Sequence, residues 1–124
     1  MSISFQKIDS AMSQLKDAVA ITQPSSLERD GIIQRFEYSV ELLWKIAKVV
    51  LSENGLTATT PKDVVREMAS IGWIDNPETF INYIKMRNET SHSYKEEVAQ
   101  LVYSATLEFV KDADALITLL REKA

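Results

Sequence analysis

The chain has 124 residues, 45% of them hydrophobic, with a net charge of −4, one histidine and no cysteine. That balance fits a single globular domain over 1–124 and excludes a disulfide framework, thiol catalysis and a zinc site built within one chain. It also argues against broad nucleic-acid affinity, which rests on many Lys and Arg contacts to phosphate.

The opening MSISFQKIDS has no basic segment followed by an apolar run, so no signal peptide is expected. The apolar runs, such as VVL at 49–51, are too short to cross a bilayer. A cytoplasmic protein with no membrane contact, metal or cofactor is expected. Three Gly and three Pro suit a few long helices better than many strands.

In chain order, Phe5, Ile8, Met12, Leu15 and Val19 form one apolar stripe, which predicts a first helix from about Ile3 to Ile21. Thr22, Gln23 and Pro24 end it. Ser25 and Glu28 form a Ser-x-x-Glu capping box for a second helix. It runs to about Asn54, where Gly55 is a left-handed terminator. Ile32, Phe36, Val40, Leu43, Ala47 and Val50 make its main stripe; Ile33, Leu42, Trp44, Ile46 and Leu51 widen it. Such a helix is either central in a bundle or part of a subunit interface. Gly31 in its first turns is a candidate for close helix packing.

Thr60-Pro61, with Asp63 in the first turn, starts a short third helix that ends at Gly72. Asn76-Pro77 repeats the signal, and a fourth helix follows through Phe80 and Ile84 to about Arg87. Ser93 and Glu96 form another capping box, starting the last helix at about Tyr94 and placing Thr90 and Ser91 in a turn. Val98, Val102, Ala105, Phe109, Leu116 and Leu120 stripe this helix to about Arg121. No strand pattern survives. The expected fold class is all-α, an antiparallel four- to five-helix up-and-down bundle, with 55–60 as its one longer connection.

The stretch RNETSHSY, 87–94, holds the single histidine. On an unbroken helix Arg87 and His92 would stand about 140° apart, so they converge only if the helix breaks between them. The capping box supplies that break. An arginine suits bidentate phosphate contact, a histidine moves protons near neutrality, and a helix N-terminus favours an anion. Together they are a minimal kit for metal-free RNA cleavage, in which the ribose 2′-OH attacks the adjacent phosphorus. One histidine does not easily serve both proton steps, whereas a twofold dimer brings two copies into one cleft. The plainer alternative is structural: Arg87 complements the helix C-terminus, His92 is a turn residue and Tyr94 packs its ring. Glu89, Glu96 and Glu97 would repel a phosphate.

Arg87-Asn88-x-x-x-His92-x-Tyr94 resembles the signature of the HEPN superfamily, and its trailing tyrosine resembles the variant in HepT-like toxins of two-component toxin–antitoxin modules. DGIIQRFEYSVELLWKIAK at 30–48 resembles the second helix of the nucleotidyltransferase substrate-binding branch, and TPKDVVREMASIGWID and the final helix fit the same pattern. The resemblance implies a homodimeric helical bundle and a separate small nucleotidyltransferase partner. It implies Arg87 as phosphate contact and His92 as catalytic residue of a metal-independent endoribonuclease. Asn88 is then the polar companion and Tyr94 the acceptor of AMP, whose charge and bulk would silence the cleft. Two alternatives stand beside it. One is a non-catalytic substrate-binding or scaffold subunit that holds a nucleotide or phosphate, and the other is a purely structural helical dimer.

Other candidates read as structural. Glu41 and Lys45 form a helix ion pair. Trp44, Trp73, Tyr38 and Tyr83 pack in a core or interface. Arg35, Lys45 and Lys48 are surface charge, and Asp112-Ala-Asp114 is a solvated face lacking the Gly-Ser partner of a nucleotidyltransferase.

Overall fold

The computed structural model of the chain describes residues 3–91 and 94–124. These form five helices: α1 Gln6–Val19, α2 Ser26–Glu53, α3 Pro61–Ser70, α4 Pro77–Thr90 and α5 Glu96–Lys123. No strand occurs among the described residues.

Cross-helix bonds give the directions. Arg29, at the start of α2, meets Glu96 at the start of α5, and Asn54 at the end of α2 reaches the Lys123 carbonyl at the end of α5. The two 28-residue helices therefore run parallel, each about 42 Å long. Asp9 pairs with Arg121 and Lys16 with Asp114, so α1 opposes α5. Arg87 pairs with Glu41, and Tyr83 with Asp112, so α4 opposes both long helices. The result is an up-and-down bundle in which α3 is the short link between α2 and α4.

Helix α2 packs against every other helix. This explains its wide apolar face, and of the two expected roles the central one is met. Its capping box forms: the Glu28 N–H donates to Ser25 Oγ at 3.1 Å and the Ser25 N–H to Glu28 Oε1 at 2.9 Å. Gly55 and Gly72 take φ of 79° and 82°, conformations that end α2 and α3 with little strain only because they lack Cβ. Thr60 and Asn76 cap α3 and α4 from side-chain oxygens. The core centres on Phe36 and Phe109, both fully buried and edge-to-face at 5.2 Å, with the Tyr83 ring 5.1 Å from Phe109.

Several expectations are corrected. Residues 3–5 precede α1, which starts at Gln6. Helix α4 continues through Thr90, which is helical and buried: its hydroxyl donates to the Met86 and Arg87 carbonyls, so it needs no water. Tyr94 and Lys95 precede α5, which starts at Glu96, and Glu96 spends its carboxylate on Arg29 instead of a cap. Ser93, the other half of that expected box, lies outside the described residues. A Cβ at Gly31 would meet nothing within 4 Å, so close packing does not account for that glycine. Along α5, Ala99, Thr106, Ala113 and Ile117 are buried, while Val98 and Ala105 are only half-buried. Tyr38 is 54% exposed in the single chain, so of the core and interface packing expected for it the core is excluded. Asp112 is half-buried and accepts the Tyr83 hydroxyl at 2.6 Å, so it belongs to the core boundary and not to a solvated face.

Candidate functional site

The residues singled out in 87–94 collect against one face of α2. Asp30, Glu37 and Glu41 are seven and four positions apart, which stacks their carboxylates along a single side of that helix. The end of α4 and the segment entering α5 lie over this acidic strip.

Arg87 occupies the last turn of α4, as expected. Its Nη2 lies 3.6 Å from Glu41 Oε2, and its Nε is enclosed with no partner among the described residues. Glu41 is a shared acceptor: Trp44 Nε1–H donates to it at 3.1 Å, and Lys45 Nζ stands at 3.1 Å. Burial alone would raise the Glu41 pKa, but the indole, the ammonium and the Arg87 guanidinium together hold it below the usual carboxylate value. Glu37, one turn earlier, goes the other way. Its desolvation outweighs the pull of Arg87 and Thr90, so its carboxyl is pushed up.

Asn88 is exposed, and its carbonyl accepts the Ser91 hydroxyl at 2.8 Å. His92 lies outside the described residues. Three residues after Ser91, the Tyr94 ring is half-buried against the core and its hydroxyl points at Asp30 Oδ1, 3.3 Å away. Desolvation and the charges of Asp30 and Glu37 raise the Tyr94 pKa, with Arg29 acting in the opposite sense. Thus Arg87 and Tyr94 both face the acidic strip, and Glu37 lies within electrostatic reach of each.

Arg29 closes the end of the site. Only 13% of its side chain is exposed, and it grips Glu96 bidentately at 2.5 and 2.9 Å, with Asp30 at 3.9 Å. The Arg29 Nε is enclosed without a partner among the described residues. The grip holds the Glu96 carboxyl below its usual pKa. Neither Arg29 nor Asp30 was apparent as a site residue in the sequence. The signal that could have found Asp30 is the spacing of Asp30, Glu37 and Glu41, which puts charge on a face of α2 that a wholly buried helix has no reason to carry. No cluster able to hold a metal ion occurs among the described residues, and no helix among them is long and apolar enough to cross a membrane.

Comparisons with known proteins agree with this architecture. The profile of the family described as nucleotidyltransferase substrate binding protein like matches residues 3–122. A Haemophilus influenzae protein named "Probable ribonuclease HepT" is 30% identical over 129 residues, covering 97% of this chain and 88% of that protein. Among solved structures, a Thermus thermophilus protein superposes with a TM-score of 0.87 at 29% identity, over 92% of this chain and 98% of that one. A second, from Haemophilus influenzae, described as revealing the fold of a substrate binding domain of a nucleotidyltransferase, gives 0.80 at 28% identity, over 95% and 99% of the two chains. With a profile match along nearly its whole length and a ribonuclease-named relative of the same extent, the chain belongs to the nucleotidyltransferase substrate-binding, HepT-like family.

Proposed function

We propose that the protein is the HEPN-type subunit of a two-component nucleotidyltransferase module, a metal-independent endoribonuclease toxin silenced by adenylylation of Tyr94. The observation that carries this is the placement of Arg87 and Tyr94. They leave α4 and enter α5 on the same side of α2, at either end of the segment that contains His92.

In this scheme Arg87 leaves Glu41 to grip the scissile phosphate. The exchange is cheap because the ion pair is long and partly solvated. His92 relays protons as the 2′-OH attacks phosphorus and the 5′-oxygen departs, leaving a 2′,3′-cyclic phosphate. Asn88 is the polar companion. A homodimer supplies the second histidine, and the uncovered apolar side chains of α2, with Tyr38 54% and Val49 45% exposed, suit such a twofold contact. The partner is a separate small nucleotidyltransferase, in line with the family description and with the description of the Haemophilus structure.

A second reading has its own support. The acidic strip under Arg87 opposes an RNA backbone of many phosphates more than a single nucleotide, which suits a subunit that holds a nucleotide for the nucleotidyltransferase and cleaves nothing. Expression without the partner separates the two. A toxin slows growth, and Arg87→Ala or His92→Ala relieves it; unrelieved toxicity in both variants removes the catalytic assignment. Intact mass after incubation with the partner and ATP tests Tyr94, since the AMP-sized increment should vanish in Tyr94→Phe.

A further inference from the structure

The surroundings of the Tyr94 hydroxyl contain more than a modification site needs merely to be reachable. We propose that Asp30 is the general base of nucleotidyl transfer to Tyr94, and that Arg29 beside it receives the phosphate that arrives. This rests on the assignment of Tyr94 as the nucleotide acceptor.

The Tyr94 oxygen attacks the α-phosphorus of a nucleoside triphosphate, and an O–P bond forms. The bond from that phosphorus to the oxygen bridging the β-phosphorus breaks, and pyrophosphate leaves with the electron pair. The phenolic proton passes to Asp30 Oδ1, which already accepts the hydroxyl at 3.3 Å. An aspartate accepting the proton of an attacking hydroxyl is the arrangement that protein kinases use for phosphoryl transfer.

Tyr94 needs such a base. Its phenol is harder to ionise than an ordinary tyrosine, because burial and two carboxylates oppose the phenolate. At neutral pH the nucleophile therefore starts protonated. Asp30 is about half-exposed, so a proton it accepts can pass on to water.

Arg29 meets the second requirement. The product phosphodiester carries a negative charge beside Asp30 and Glu37, and that charge needs a cation. The Arg29 guanidinium is anchored with little exposure, its Nε has no partner among the described residues, and its present partner Glu96 is 76% exposed. Solvent can take over Glu96 as Arg29 turns to the phosphate. Among the described residues, the charged groups facing Tyr94 are Asp30, Glu37 and Arg29 from α2. Arg87 of α4 stands one step further out against Glu37 and Glu41, and Glu96 of α5 is held by Arg29.

The test measures initial rates of AMP incorporation by intact mass, using the full chain, its nucleotidyltransferase partner and ATP, across about pH 7 to 9.5. Wild type should give a nearly flat profile. Asp30→Asn should be slower by about a hundredfold at neutral pH, the usual scale for losing a general base. Its rate should climb about tenfold per pH unit, since tyrosinate must now form before attack. Asp30→Glu should restore a flat profile and much of the rate. An Asp30→Asn rate equal to wild type, or one slowed uniformly with a flat profile, overturns the inference and leaves Asp30 only pinning the segment. AMP-free wild type, or AMP on another residue, instead overturns the acceptor assignment itself and the inference with it.

Discussion

Replacing Tyr83 by Phe removes one hydrogen bond and leaves the ring in place. Tyr83 stands one helical turn before Arg87, and its hydroxyl donates to Asp112 at 2.6 Å, tying α4 to α5. Its edge-to-face contacts with Phe109, Phe80 and Phe36, at 5.1, 5.8 and 6.3 Å, survive in Phe. A bond to a charged acceptor contributes about 1.5–3 kcal/mol, and the half-buried Asp112 recovers part of this from water, so the loss should be about 1.5 kcal/mol. With an unfolding entropy of about 2 cal/mol/K per residue over 124 residues, Tm should fall by about 6 °C. The pH dependence is a sharper check. Burial, then the bond to Asp112 and the nearby carboxylates, raise the folded-state pKa of Tyr83 far above its ordinary value. A raised pKa means stability that is fully present below about pH 10, the unfolded value, and is lost as pH rises above it. The gap in Tm between wild type and Tyr83→Phe, followed by circular dichroism, should be constant from about pH 6 to 9 and narrow beyond about pH 10. Equal Tm values at neutral pH, or a gap that does not narrow in alkali, would refute the reasoning.

Two further predictions address the site and its scaffold. Glu41 has a depressed folded-state pKa, so its contribution is present above the unfolded carboxylate value of about 4.3 and disappears as pH falls through the folded value. Thermal melts of Glu41→Gln should lie below wild type at neutral pH and converge with it as pH falls below the ordinary carboxylate range; a constant offset throughout would show that the ion pairs are not the cause. Ser25→Ala breaks the capping box of α2 and should cost about 1 kcal/mol in urea unfolding, and a change below about 0.3 kcal/mol would mean the cap is idle.

Much of the bundle was legible because its punctuation is local. Ser25, Thr60-Pro61, Asn76-Pro77, Gly55 and Gly72 act through neighbours within a few residues, and each does in the fold what its chemistry suggests. The α2 stripe was equally plain, because one helix serving four neighbours must be apolar over much of its circumference. Long-range partners were not legible. Glu96 has a capping-box spacing, yet a guanidinium 67 positions away competes for it and wins with two charge-assisted bonds. Thr90 looked like a turn residue because hydroxyls favour turns, but its back-bonding let α4 run one turn further. Asp112 looked solvated because the tyrosine that claims it is 29 positions upstream. At the site, the motif drew Arg87 and Tyr94 from the sequence and the spacing of Asp30, Glu37 and Glu41 carried a trace of Asp30, whereas Arg29 becomes visible only when α5 starts beside the first turns of α2.

The most direct measurement is cleavage of single-stranded RNA by the purified protein in excess chelator, with product ends identified by mass. Wild type should yield fragments ending in 2′,3′-cyclic phosphate, while Arg87→Ala and His92→Ala should be slower by about a hundredfold or more. Intact RNA with wild type, or equal cleavage by all three proteins, would contradict the ribonuclease assignment and leave a subunit that binds without cutting.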